Sequence, residues 1–424
     1  MRFYKETNFK DTQIGRIPKD WEVVRLGDIA SNVYYGITAK AVQERTQLRM
    51  LRTTDIKNYK VEWDSLPYCQ ITEQRKDIQR YFLQIDDLIV SRAGTAGMSV
   101  LVDKHLKDVI FGSYLIKIRL KDNGYPKYLH FFFRSRFYWN HILSGHAGST
   151  LKNINLPVLK STPIILPPLP EQEKIAEILS TVDEVIQRTE EIIAKTERLK
   201  KGLMQELLTK GIGHKEFKDT QIGRIPKDWE VVRLGDISTI SSGNTAPQEK
   251  KYFEKGKFPF IRVQHLNELA KGKYTVHFDL INERAVSELR LKKFKKGAII
   301  FPKSGESIKL EKRAMLIEDS YVVNHLAVIN PLSKGVNNLF LFYCLCRVKT
   351  SEYLTQTTMP SLNLATIKGF LLPLPPLPEQ EKIAEILSTV DEKIEIERKI
   401  KEKLERIKKS LMDLLLTGKI RVRI

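Results

Sequence analysis

The sequence predicts an α+β protein: two similar mixed α/β domains joined by two long helices that form an antiparallel coiled coil, with a pseudo-two-fold internal repeat. Three observations lead there. The stretch LPPLPEQEKIAEILSTVDE at 166–184 returns unchanged at 374–392, and FKDTQIGRIPKDWEVVRLGDI at 9–29 returns at 217–237. Both copies are shifted by 208 residues, and such a period means one structural unit made twice. Each 19-residue block opens a long helical pattern. Between the blocks, 31–160 and 239–368 have diverged almost completely.

Taken in order, the frame opens with a turn at Gly15 and Pro18. Trp21, Val23, Val24, Leu26 and Ile29 then read as a short strand leading into a loop. The first insert offers strands in DDLIVSRAG (86–94) and YLIKIRL (114–120), a helix in KYLHFFFRSRFYWNHIL (127–143), and a polar tail at 144–160. Pro163, Pro167, Pro168 and Pro170 close it, because proline is tolerated just before or at a helix start but not inside one.

From Glu171 apolar residues recur at three- and four-residue steps: Ile175, Ile178, Val182, Val185, Ile192, Leu199 and Leu203, with Thr189 and Thr196 among them. That is a heptad seam. It predicts a helix to about Leu208, stopped at Gly211 or Gly213 and roughly 57 Å long. The copy keeps Ile383, Ile386, Val390, Ile400, Leu404, Ile407, Leu411 and Leu414, with Lys393 and Glu397 interrupting. Antiparallel packing of two such helices would place one insert at each end of a rod. The expected division is 1–160, a first domain; 161–213, its helix; 214–370, a second domain; and 371–424, the second helix.

The net charge is +20, and its placement matters more than its size. Residues 31–160 carry 20 Lys and Arg against 11 Asp and Glu, and 239–368 carry 21 against 11. Nineteen of the twenty net charges therefore sit in the divergent inserts, while the helical stretches are slightly acidic. Basic surface attracts polyanions, with nucleic acid first among them. A solubility charge or a thermophile's Lys/Glu enrichment does not explain why the excess avoids the helices. Cys69, Cys344 and Cys346 make neither a disulfide framework nor metal-ligand spacing. No apolar run is long enough for a membrane helix, and MRFYKETNFK lacks the apolar core of a secretion signal. A cytoplasmic protein with no membrane partner is the expectation.

Catalytic motifs are missing. There is no phosphate-binding G-x-x-x-x-G-K-[ST] loop, no H-E-x-x-H and no G-x-S-x-G elbow. An Asn/Asp-Pro-Pro-aromatic motif for amino methylation is absent too. Glu397 and Lys399, in a Glu-x-Lys arrangement, lie in the helical pattern, RAGTAG at 92–97 reads as a turn, and PPLP at 167–170 reads as a helix start. No catalytic residue, cofactor or metal is expected. A stand-alone DNA methyltransferase and a basic adaptor for acidic proteins remain as alternatives.

The two halves can be compared within one chain. Shared residues do what both halves must do, and divergent ones do what each must do differently. MLRTTDI (50–56) aligns with FIRVQHL (260–266), DDLIVSRAG with GAIIFPKSG (297–305), FGSYLIKI (111–118) with VVNHLAVI (322–329), and STLKNINL (149–156) with TTMPSLNL (357–364). Phosphate contacts position a protein and base contacts specify. Shared cations, Arg52 with Arg262 and Arg92 with Lys303, therefore suit phosphates, and suit scaffold ion pairs equally well. Differing polar residues suit bases: Thr53 and Thr54 against Val263 and Gln264, Ala93 and Thr95 against Ser304 and Glu306, Tyr114 against His325. His146, Ser149 and Thr357 in the polar tails complete the set. Two unlike basic inserts suit two unlike stretches of double-stranded DNA, and a repeated frame suits a partner present in two copies.

These features resemble the DNA-specificity subunit of a type I restriction-modification system, over the whole chain. The resemblance rests on two variable domains, two repeated helices and the repeated Leu-Pro-Pro-Leu-Pro-Glu-Gln, preceded by Ile164-Ile165 in one copy and by Leu372-Pro373 in the other. It implies that each target-recognition domain reads one half of a bipartite site and that the helices set the spacer. It further implies that the chain docks two methyltransferase (modification) subunits, and that restriction/translocase subunits join them. Pro168, Glu171, Gln172, Pro376, Glu379 and Gln380, at the helix starts, are the docking candidates.

Overall fold

The two copies of the 9–29 block fold alike. Phe9–Thr12 pairs with Gly15–Pro18 in a hairpin, as Phe217–Thr220 does with Gly223–Pro226. Gly15 and Gly223 turn these hairpins at φ of +114° and +101°, where a Cβ is disfavoured. Glu22–Arg25 and Glu230–Arg233 then pair antiparallel with Pro163–Leu166 and Leu371–Leu374, the strands that feed the long helices. The strand expected from Trp21 ends early, since Leu26–Ile29 is a single helical turn that buries Leu26 and Ile29. This computed structural model describes residues 3–71, 77–144, 153–270, 277–332, 335–354 and 360–424.

The chain packs as two units, Met1–Arg188 with Lys401–Ile424, and Thr189–Ile400. In the first, an antiparallel sheet runs in the order Ser99–Leu101, Leu88–Ser91, Leu115–Leu120, Ala30–Tyr35. A second sheet runs Val109–Phe111, Arg49–Leu51, Tyr68–Ile71, Ala39–Val42, with its first pair parallel. The strands expected within 86–94 and 114–120 are thus present. Their alternate residues serve two cores, as a period of two requires: Leu88, Val90, Ile116 and Ile118 face one, Ile89 and Leu115 the other. The aromatic run forms two helices, Pro126–Phe132 and Arg136–Ser144, instead of one. Phe3–Lys5 pairs with Ile420–Val422, so both chain ends complete this unit.

The second unit repeats the plan with different side chains. Ser238–Ser242, Leu326–Pro331, Ile299–Pro302 and Ala314–Met315 form its first sheet. Asp279–Ile281, Phe258–Ile261 and Tyr321–Val322 form the second, again with one parallel pair. One interior difference is chemical. Lys117 is buried in the first unit, donating to the carbonyls of Arg80 (2.6 Å) and Phe82 (2.9 Å), 3.6 Å from buried Asp87. Burial lowers its pKa despite that neighbour. Arg119 also holds Asp87, at 2.7 Å. Val328, Ala298 and Asn330 occupy the matching strand positions of the second unit.

The long helices span Leu169–Leu207 and Leu377–Leu415. Within the first unit, Ile175 and Leu179 share a core with Leu411 and Leu415. Within the second, Leu203 and Leu207 share one with Ile383 and Leu387. The start of each helix meets the end of the other, which is antiparallel packing. The pairing is signed by ion pairs: Asp183 with Lys408 in one unit, and Asp391 with Lys200 at 2.5 Å in the other. These are the same two positions exchanged, since 208 residues separate Asp183 from Asp391 and Lys200 from Lys408.

The seam itself is shifted from expectation. Val185, Ile192, Leu199, Ile400 and Ile407 are exposed, whereas Leu179, Leu207, Leu387 and Ile394 are buried. Apolar residues occupy three heptad positions here. Packing selects the pair one turn apart, which keeps Thr189 and Thr196 inside.

A candidate nucleic-acid interface on each unit

In the first unit, strand ends bring the predicted residues together. Thr53–Asp55 follows Arg49–Leu51 as a one-turn 3-10 helix, with Arg52 at its N-cap. Gly112 N–H donates to Leu51 O at 3.0 Å, and Arg92 N–H donates to Tyr114 O at 2.9 Å. A Cβ on Gly94 (φ +75°) would lie 3.9 Å from Thr53 Oγ1. Arg52, Thr53, Arg92, Gly94 and Tyr114 therefore belong to one edge. The polar tail returns to it, since Ile154 N–H donates to Arg92 O at 2.8 Å and Arg92 Nε donates to Asn153 Oδ1 at 3.1 Å.

The second unit builds the same edge. Val323 N–H donates to Ile261 O at 2.9 Å, and Lys303 N–H donates to His325 O at 2.9 Å. Its tail returns likewise: Leu362 N–H donates to Lys303 O at 2.7 Å and Gly305 N–H to Pro360 O at 2.9 Å. Asn155 and Asn363, in the aligned tails, cap the short helices that follow by accepting from Val158 N–H and Thr366 N–H.

Side-chain environments divide the candidates. Arg52 makes a two-point pair with Asp55 at 3.0 and 2.7 Å, and Arg262 pairs with Asp279. Both guanidiniums are thus held by the scaffold. The Arg92 guanidinium lies 4.4 Å from the centre of the Tyr35 ring. Thr54, Thr95, Gln264 and His325 are exposed, and Tyr114 is the most open aromatic among the described residues at 64%. Ser304 is half-buried, its Oγ 2.7 Å from His325 Nδ1. Lys303 is half-buried as well. His146, Ser149 and Thr357 lie outside the described residues.

Sequence reasoning passed over one pair of residues at this edge. Gly36 and Gly243 follow the first sheet's outer strands, and a Cβ on either would come within 2.2 Å of a carbonyl, that of Gly112 or of Val323. Only glycine lets those turns approach the turns that carry Tyr114 and His325. The signal was available in the matching Gly-x-Thr of 36–38 and 243–245.

The docking candidates differ in exposure. Glu171, Gln172 and Gln380 are fully buried. Glu171 accepts from Trp21 Nε1 (3.0 Å) and from Arg421 (3.0 and 2.7 Å). Glu379, partly buried, accepts from Trp229 Nε1 (2.9 Å) and pairs with His214 Nε2 (2.8 Å). Gln172 accepts from Tyr125 N–H and donates to the carbonyls of Asn123 and Pro167. Gln380 does the same with Asn337, Gly335 and Pro375. The Glu-Gln pair thus fastens the helix start to its own domain and is spent on that task. Pro168 and Pro376 are exposed.

No helix among the described residues is long and apolar enough to cross a membrane. Nor does any cluster of three His, Cys, Asp or Glu among them suit a metal ion.

Comparison with known proteins agrees with this architecture. The family described as the type I restriction modification DNA specificity domain matches twice, at 18–198 and 226–406, again 208 residues apart. The chain is 34% identical over its whole length to a Methanocaldococcus jannaschii protein named as the MjaX type I specificity subunit, covering 99% of that protein. It is 31% identical, again over its whole length, to the MjaIX specificity subunit of the same organism, covering 98% of it. A crystal structure of the type I S subunit from M. genitalium superposes with a TM-score of 0.60 at 15% identity, over 93% of this chain and 96% of that one. That likeness speaks for the fold, and the sequence matches speak for the family. The chain belongs to the family of type I restriction-modification DNA specificity subunits, with two DNA-recognition domains on a pair of antiparallel helices.

Proposed function

We propose that the edge formed by Arg52–Asp55, Arg92–Thr95 and Tyr114 reads one half of a two-part DNA target, and that the edge formed by Arg262–His265, Lys303–Glu306 and His325 reads the other. The observation that carries this is the contrast between frame and face. The two edges share backbone, glycines and held arginines, yet differ in their exposed polar side chains. Specificity needs that contrast, because base readers must differ where positioning groups need not. Thr54, Thr95 and Tyr114 are the base-reading candidates of the first domain, with Gln264, Ser304 and His325 those of the second. His146, Ser149 and Thr357, outside the described residues, stay as further candidates for reading bases. Domain limits of 1–160 and 214–370, with helices in 161–213 and 371–424, suit this division.

The remaining roles concern assembly. The relatives' names place them in type I restriction enzymes, and the repeated frame supports two modification subunits per chain, joined by restriction/translocase subunits. Pro168 and Pro376 remain the exposed docking candidates of the helix starts. The helices set the unspecified spacer. The chain itself is non-catalytic and works in the cytoplasm, where its DNA and partner subunits are. Exchanging 239–368 for the insert of another specificity subunit is the test. One half of the recovered motif should change while the other half and the gap stay fixed. A change in both halves would refute the assignment of one reader per half-site.

A further inference from the structure

We infer that His325 is a base-reading residue of the second recognition domain and that Ser304 fixes which way its imidazole hydrogen-bonds. This rests on the reading edge proposed above and deepens it to one side chain and one class of base. His325 is exposed, but its backbone is not free: its carbonyl accepts from Lys303 N–H at 2.9 Å, and its neighbours Val323 and Leu326 are buried. Its ring meets Ser304 Oγ at Nδ1, 2.7 Å away. Ser304 is itself anchored through a bridge to Ser361, with Gly305 N–H donating to Pro360 O. Among the described residues, neither Ser304 Oγ nor His325 Nε2 has another hydrogen-bond partner.

A serine hydroxyl can donate to a ring nitrogen or accept from it, and we assign Ser304 as the donor to Nδ1. A serine hydroxyl that donates to Nδ1 holds the neutral ring with its proton on Nε2. The outward group is then a donor on a short, rigid arm. Major-groove donors seek acceptors, and guanine presents two side by side, O6 and N7. The matched positions of the first domain cannot copy this, because Ala93 stands where Ser304 does and Tyr114 where His325 does. The second domain therefore selects guanine at the base pair facing His325, and Ser304 acts as the positioning residue.

The test uses the full chain with its modification subunits, selecting from a randomised DNA pool with wild type, H325A, H325Q and S304A. Wild type should recover a two-part motif with guanine at one position of one half-site. H325A should lose preference at that position alone, by about tenfold, leaving the other half-site and the gap unchanged. S304A should relax the same position, and a further variant, S304T, should regain it, because a threonine hydroxyl can donate to Nδ1 in the serine's place. A purely structural serine would give no such rescue by a hydroxyl. An unaltered motif from both H325A and H325Q, or weakening spread evenly over both half-sites, would overturn the proposal while the two-reader account stands. Failure of wild type to recover any two-part motif would instead remove that account, and this proposal with it.

Discussion

Trp21 and Glu171 stand 150 residues apart in sequence and meet through a hydrogen bond of 3.0 Å; Trp229 and Glu379 repeat it at 2.9 Å. Each bond joins the two blocks that the chain repeats, so the blocks are two halves of one clasp. Trp21 and Trp229 are both fully buried.

Glu171→Ala should therefore destabilise the unit that holds the first reader by about 3 kcal/mol, because it leaves the buried Trp21 indole N–H without its acceptor and takes from Arg421 its one fully buried carboxylate. Glu171→Gln should cost less, since an amide oxygen can still accept from the indole N–H. Chemical denaturation followed by tryptophan fluorescence measures both. Equal stability of Glu171→Ala and wild type would mean the clasp bears no load.

Arg421 extends the clasp on one side only. It pairs with Glu6 at 2.9 Å, with Asp20 at 2.8 Å and with Glu171 at 2.7 Å. In the second unit His214 and the Ile212 N–H serve Glu379 instead. Arg421→Ala should thus raise amide exchange around Trp21 and 163–166 while leaving Trp229 and 371–374 protected. Hydrogen exchange with peptide resolution separates the two, and equal loosening of both would contradict the one-sided clasp.

The exchanged pairs on the long helices invite a charge-reversal cycle. Asp183→Lys alone should cost about 2 kcal/mol, because it also orphans Arg134, which donates to Asp183 at 3.0 Å. Adding Lys408→Asp should recover a large part of the loss. Thermal unfolding of the four proteins gives the coupling. Additive losses would show that the helices tolerate another pairing.

Glu311 predicts an acid-sensitive step in the second unit. Burial raises its pKa, but donors outweigh that: the Ser351 N–H at 2.9 Å, the Thr350 hydroxyl at 2.8 Å and Arg313 at 2.7 Å. The carboxyl is held down to about 2. A carboxylate with a depressed folded pKa contributes stability that is fully present above its unfolded value near 4.5 and fades as pH falls toward 2. Allowing for its partial exposure, about 1–2 kcal/mol should be lost across that window. Glu311→Gln should flatten this part of the stability–pH curve. An unchanged slope would assign the acid loss to other groups.

Much of this was legible in the chain. The repeat named the frame, and strands at 86–94 and 114–120 followed from short apolar runs. The burial of Glu171 and Gln172 was not legible, because two polar residues at a helix start ordinarily face water. Their partners, Trp21, Tyr125 and Asn123, come from elsewhere in the sequence. One signal was present: the tryptophan and glutamate recur together at the same 150-residue separation. The seam was misplaced at Val185, Ile192 and Leu199 because periodicity cannot choose among three apolar heptad positions. Burial of Leu179, Leu207, Leu387 and Ile394 shows which positions the packing covers. The aromatic run read as one helix because apolar spacing continues across Phe133–Ser135, where the chain breaks into two.

The most direct measurement is selection from a randomised DNA pool by the chain with its cognate modification subunits, at two salt concentrations. Two readers on a fixed frame predict a two-part motif with an invariant gap, recovered at both salts even as total binding falls at the higher one. Uniform recovery of all sequences at both salts would contradict the account and leave only a basic surface that holds DNA without reading it.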